Sequence, residues 1–259
     1  MTTLDVTELE KEIVNSKREI LELGYDRLES RAKLTEVQNF ALKQHLVTQH
    51  FVEGALMLLR QGNLGSQALL RSLEEMDIVT VWGIECEGWS EIILWGYEDQ
   101  IDLLESNIKT LYETPLHKID PKRAEGMVEL SREKINSLKE EQENYRKRFS
   151  LRSTRGRSRI ELKTMVEELE AKLKAGPSEG VYKARYRYMF KGGHHSVHIW
   201  NPMLFNYFVA DRAIGAIHIE GQAGMQESEI SLIAHTLQRI FLQSVRRLRT
   251  LSILKESSM

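Results

Sequence analysis

Proline placement is what most limits the folds open to this chain. Its 259 residues hold only four prolines, and none interrupts a periodic segment. Pro121 follows Asp120 and Pro202 follows Asn201, each pairing a capping side chain with proline at the first helical position. Pro177 lies in "KAGPSEG", where Gly176 can end one helix and Ser178 can cap the next; Pro115 lies in "YETPLHK". A proline inside a helix removes a hydrogen bond and collides with the preceding turn, at a cost of ~3 kcal/mol. The long proline-free stretches are therefore where helices can run.

Apolar periodicity fills those stretches. Val37, Phe40, Ala41, Val47, Phe51, Ala55, Leu58 and Leu59 fall on one helical stripe. Ile93, Tyr97, Ile101, Leu104, Ile108 and Leu111 form a second. Ile230, Ile233, Leu237, Ile240, Ser244, Leu248 and Leu251 form a third, in a helix of roughly twenty-five residues, ~40 Å at 1.5 Å per residue. Period-two alternation is confined to "AIHIE" at 216–220, a weak strand signal. The expected fold is all-α, a multi-helix bundle with a long C-terminal helix.

Residues 1–36 read as an N-terminal helical extension, and 37–259 as one helical domain with a charged helical insertion around 122–175. Within that insertion 122–147 is mostly charged with sparse apolar positions, which suggests an exposed or partner-facing helix. Leu162, Val166, Leu169 and Leu173 repeat with a/d spacing, too briefly for a coiled coil, and should pack onto the same body. "YRKRFSLRSTRGRSR" at 145–159 carries basic residues and no acid. It is either a solvated linker or a surface for phosphate backbones, since arginine meets phosphate in a fork geometry.

The formal net charge of −2 excludes a polycation, so any nucleic-acid affinity must be local. One cysteine, Cys86, excludes an intrachain disulfide and suits a reducing compartment. Its acidic neighbours Glu85 and Glu87 disfavour a thiolate nucleophile. No apolar run has the length of a membrane span, and "MTTLDVTELEKEIV" is unlike a signal peptide, so a cytoplasmic protein without membrane partners is expected. The chain has no glycine-rich phosphate loop, no G-x-S-x-G and no H-E-x-x-H.

Two segments carry charge where it is costly or reactive. "ALLRSLEEMD" at 68–77 is apolar on more than one side, yet holds Arg71 with Glu74 and Glu75 three and four residues on. A charge in a buried helix must be paired. The pair is either structural or an arginine held by a glutamate and aimed into a cleft. "RYRYMFKGGHHSVHIWNP" at 185–202 gathers His194, His195 and His198 just after Arg185 and Arg187. The histidines can be polar caps after the Gly192–Gly193 turn, metal ligands, or acid–base groups acting on a phosphodiester beside an arginine. No carboxylate lies nearby in sequence to complete a metal set, the nearest being Glu179 and Asp211.

An all-helical body carrying an R-x₄₋₆-H element resembles the HEPN superfamily (higher eukaryotes and prokaryotes nucleotide-binding). The "ALLRSLEE" helix followed by "YKARYRYMFKGGHHSVH" is also similar, over roughly residues 40–250, to a group of bacterial helical proteins. These have an arginine–glutamate helix and a later tyrosine-rich helix ending in histidine. Arg187 and His194 take the R-x₆-H positions, with His195 one residue beyond; Tyr188 and Gly192–Gly193 depart from the usual pattern. Arg212 and His218 give a second match, R-x₅-H.

The resemblance implies a protein of a bacterial defence or toxin system. Such a protein would be a metal-independent, cofactor-free endoribonuclease acting as a homodimer, with RNA and an antitoxin or defence-system protein as partners. Arg187, His194 and His195 would be catalytic, supported by Arg71, Glu74 and His198. Arg146, Arg148, Arg152, Arg155 and Arg157 would hold the RNA backbone, and Tyr182, Tyr186 or Tyr188 would stack bases. The competing expectation is a non-catalytic helical interaction or scaffold protein in which the same charges are structural.

Overall fold

The computed structural model describes residues 6–30, 33–61, 65–149, 160–174, 180–188, 209–211, 216–218 and 227–254. In chain order they form α1 (Val6–Ser30), α2 (Glu36–Arg60), α3 (Gly65–Glu85), α4 (Trp89–Glu113), α5 (Pro115–Ile119) and α6 (Pro121–Arg148). There follow α7 (Leu162–Lys172), α8 (Val181–Tyr188), β1 (Val209–Asp211), β2 (Ala216–His218) and α9 (Glu227–Thr250). The fold is all-α. Its β-structure among the described residues is one antiparallel pair, in which Ala210 faces Ile217, so the "AIHIE" signal marks a short strand.

The chain divides into two compact units, Met1–Cys86 with Leu162–Met259, and Glu87–Glu161. The division therefore opens before α4, earlier than the charged segment at 122 suggests, because α4 buries its apolar stripe against α6.

In the first unit α2, α3 and α9 pack together, with α7 against α3 and α8 against α7. The C-terminal stripe points inward along its length. Ile233, Leu237, Ile240, Ser244 and Leu248 are buried, and Phe241 joins them. Each such aliphatic or aromatic side chain contributes ~1.5–3 kcal/mol of transfer free energy. On α2, Phe40, Ala41, Ala55 and Leu59 face the core as the stripe predicts, but Val47 is turned outward, and Val52 and Leu56 complete the buried face. The segment expected as an N-terminal extension belongs to this core, because Leu9 and Ile13 of α1 are buried within it.

Local signals fix the helix starts. Thr35 and Gln38 form a reciprocal capping box at α2: Thr35 Oγ1 accepts from the Gln38 N–H at 3.3 Å, and Gln38 Oε1 from the Thr35 N–H at 2.9 Å. The Gln38 amide also donates to the Leu251 carbonyl at 2.8 Å, tying the start of α2 to the end of α9. At α6 the Asp120 carboxylate accepts from the Arg123 N–H at 3.1 Å with Pro121 in the first turn, as the sequence predicts.

The second unit is a helical hairpin. Ala124, Val128, Ile135, Leu138 and Gln142 of α6 are buried at steps of three, four and seven residues. Their partners on α4 include Ile101, with Tyr97, Leu104 and Ile108 half-buried. Lys139 meets Glu105 at 3.0 Å and Arg146 meets Glu98 at 3.4 Å, so the helices run antiparallel. The exposed, partner-facing reading of 122–147 is thus corrected on one face. Its sparse apolar residues are spaced as a coiled-coil seam, which high overall charge conceals.

Candidate functional site

Two carboxylates on α3 organise the first unit. Glu74 and Asp77 lie one turn apart on a helix whose other inward residues include Leu70, Leu73, Ile78, Val81 and Trp82. Both are buried, so each requires a cation. Three arginines from two other helices supply it. Arg185 of α8 donates from Nε to Glu74 Oε2 and from Nη2 to Asp77 Oδ2, each at 2.6 Å. Arg239 donates to Glu74 Oε1 and Arg247 to Asp77 Oδ1, both from α9. All four carboxylate oxygens are engaged, and the five groups carry a net charge of +1.

Burial alone would push the Asp77 carboxyl up, but the Arg247 and Arg185 guanidiniums outweigh it and hold Asp77 below the usual carboxylate range. For Arg185 burial favours loss of the proton, yet Asp77 and Glu74 prevail and its affinity for the proton is raised. Arg239 goes the other way: burial and the repulsion of Arg185 lower it despite Glu74 and Asp77. The cluster thus holds more positive charge than its carboxylates balance.

Helix α8, which leads in sequence to the histidine segment, is held at its start and in its interior. At its start Glu170 of α7 accepts from the Gly180 N–H at 2.5 Å and from the Lys183 N–H at 3.0 Å. A carboxylate there satisfies orphan donors and meets the positive end of the helix dipole. Gly180 has φ +75°, a conformation that suits glycine at this entry. Further along, Arg185 enters the carboxylate cluster with its guanidinium 5.3 Å over the Tyr182 ring. Arg187 is two residues on, about 200° around the helix, and is exposed. Tyr182, one of the expected base-stacking residues, is buried beneath Arg185 and belongs to the core.

A second buried polar group lies close to α9. His45 of α2 shares hydrogen bonds with Ser16 of α1 at 2.9 Å and Ser244 of α9 at 2.6 Å, and its ring lies 5.6 Å from that of Phe241. Burial, reinforced by the Arg247 charge, lowers its pKa to about 4, so it is neutral at physiological pH. Burial, with Glu168 and Glu85 adding to it against Lys172, pushes the Cys86 thiol up.

Of the residues expected to act, Glu74 is at the centre of the cluster and Arg187 is at its edge in sequence. Arg71 is not a partner of Glu74. Its Nε donates to Glu75 at 3.1 Å in a pair that reaches solvent, because Glu74 is taken by Arg185 and Arg239. The i,i+4 pair itself is worth ~0.3–0.5 kcal/mol to the helix. In the second unit, Arg146 is 15 % exposed and paired with Glu98 and Glu143, so it braces the hairpin. Arg148 is exposed, with its guanidinium 5.1 Å over the Phe149 ring. His194, His195, His198, Arg152, Arg155, Arg157 and Arg212 lie outside the described residues, while His218 ends β2. Asp77, Arg185, Arg239, Arg247 and the Ser16–His45–Ser244 group were not singled out as site residues by sequence reasoning. Asp77, three residues after Glu74 on an apolar helix, was the available signal.

Among the described residues no three His, Cys, Asp or Glu side chains come together as metal ligands, and no helix is long and apolar enough to cross a membrane. No protein-family model, no curated protein and no solved structure matches the chain.

Proposed function

We propose that the chain is a HEPN-like protein of a bacterial defence or toxin system that cleaves RNA without a metal, with Arg187 meeting the phosphate and His194 or His195 moving the proton. The observation that carries this reading is the anchoring of α8. Glu170 holds its start and the Arg185–Glu74–Asp77 cluster its interior, so Arg187 sits exposed on a rigid helix at the head of the histidine segment. Precise placement of an arginine is what stabilisation of a pentavalent phosphate requires. The 2′-hydroxyl of RNA would attack the adjacent phosphate and expel the 5′-oxygen, with histidine taking or giving the proton.

Arg187→Ala and the double variant His194→Ala/His195→Ala should each lose about 10²–10⁴-fold in cleavage of a labelled RNA in EDTA, with unchanged melting temperatures. Wild-type protein that cleaves no RNA, with or without metal ions, would refute the enzyme. Cleavage that survives both variants but fails in His218→Ala would move the chemistry to the second R-x₅-H match.

A second reading, a non-catalytic interaction protein, is favoured by the hairpin of the second unit. Leu103 of α4 and Leu130 of α6 are 61 % and 68 % exposed there, surface that a partner helix would cover.

A further inference from the structure

We propose that the Arg185–Arg239 edge of the buried cluster is a phosphate-binding site, separate from the residues assigned to cleavage. A guanidinium has five N–H donors in a fixed fork. Arg185 spends its Nε and Nη2 edge on Glu74 and Asp77. Its Nη1 is buried and has no acceptor among the described residues, on a side chain that is 9 % exposed. A buried charged donor without a partner is costly, and native structures seldom leave one unless a ligand or an ion completes it.

The charge count points the same way. Three arginines face two carboxylates, a surplus of one positive charge, and each of the four carboxylate oxygens already accepts from a guanidinium. Arg239 shares the Glu74 carboxylate with Arg185, which sets the two guanidiniums side by side, and its side chain is 34 % exposed. Solvent therefore reaches the cluster at Arg239, which shares Glu74 with Arg185. An anion that bridges the two would cancel the surplus charge and satisfy Nη1.

Phosphate fits better than a single carboxylate, because its oxygens can meet two forks at once. The choice of phosphate rests on the reading of the chain as an RNA-handling protein. The site would hold a phosphate of a bound RNA, or that of a small nucleotide, away from the scissile bond.

The test is binding without cleavage, on the full chain. Thermal melts and calorimetry would use inorganic phosphate against chloride at equal ionic strength, adenosine monophosphate, and a 2′-O-methylated RNA oligomer that cannot undergo 2′-hydroxyl attack. Phosphate at ten times its Kd should raise the melting midpoint by roughly 3–5 °C. Arg239→Gln should weaken phosphate by about tenfold or more, one charge-assisted contact being lost. Arg60→Gln, which removes an equal charge from the α1–α2 surface pair with Glu10, should leave the Kd unchanged. If the glutamine variant does not fold, Arg239→Lys keeps a charge on Glu74 but removes the fork, and its phosphate Kd should still rise severalfold.

Tighter binding of the RNA than of the mononucleotide would assign the site to a backbone phosphate. Equal binding would assign it to a small phosphate ligand. No midpoint shift with any of the three, or a Kd unaltered in a folded Arg239 variant, would overturn the proposal. Because the oligomer cannot be cleaved, this result stands apart from the cleavage assay: the site can bind phosphate in a protein that cleaves nothing, and RNA can be cleaved by a protein whose cluster binds none.

Discussion

Arg185→Ala is expected to cost about 3–5 kcal/mol of stability, the usual penalty for removing one partner of a buried ionic group. Arg185 bridges Glu74 and Asp77 and is almost wholly enclosed. Without it each carboxylate retains one arginine from α9, and both lose the shared guanidinium between them. Urea melts should show a lower midpoint with an unchanged slope, and heating should show a fall of roughly 10 °C. A loss below 1 kcal/mol for Arg185→Ala would mean that solvent screens the cluster.

Acid should weaken the fold in two stages, beginning with His45. Its folded pKa is lowered to about 4 from 6.5. Between those values the unfolded chain takes up a proton that the folded chain refuses, so stability falls as pH falls through that window. The loss approaches about 3 kcal/mol at its lower end. Neutral imidazole has one donor and one acceptor nitrogen, and Ser16 and Ser244 can complement either tautomer. Protonation would place a cation near Arg247 in a buried site.

Below this window Asp77 takes over. Its folded pKa is depressed, so its contribution is present above the ordinary carboxylate pKa and lost as pH falls through the folded value. His45→Gln should be less stable than wild type at pH 7 yet lose far less between pH 6.5 and 4. Equal slopes for the two proteins would contradict the assignment.

The fold was legible because helix signals are local. Asp120–Pro121 marks the start of α6, and the Ile233–Leu248 stripe marks the buried face of α9. The hairpin partner of α4 was harder to read. The α6 seam includes Ala124 and Gln142 among charged neighbours, and a small residue and an amide give little hydrophobic signal. The site was half legible. That a charge in the apolar α3 helix must be paired is a sound inference, and it holds for Glu74. Its partner could not be found by spacing: Arg71 is the near neighbour in sequence, but Arg185, Arg239 and Arg247 lie 111, 165 and 170 residues from the carboxylates they bind. Tertiary contacts of that range have no periodic signature. His45 was invisible for the same reason, since Ser16 and Ser244 are 29 and 199 residues away.

The proposed role of Arg187 depends on α8 being held rigid by its carboxylate partners. An isolated helix of eight residues is not stable in water, so any order in α8 must come from tertiary contacts. Amide hydrogen exchange from Ala184 to Tyr188 measures that directly. In wild type these amides should be protected to a degree comparable with the buried turns of α3. In Arg185→Met they should exchange about 10²–10³-fold faster, while α2 remains protected. Unprotected α8 amides in wild type, or protection indifferent to the loss of Arg185, would contradict the account.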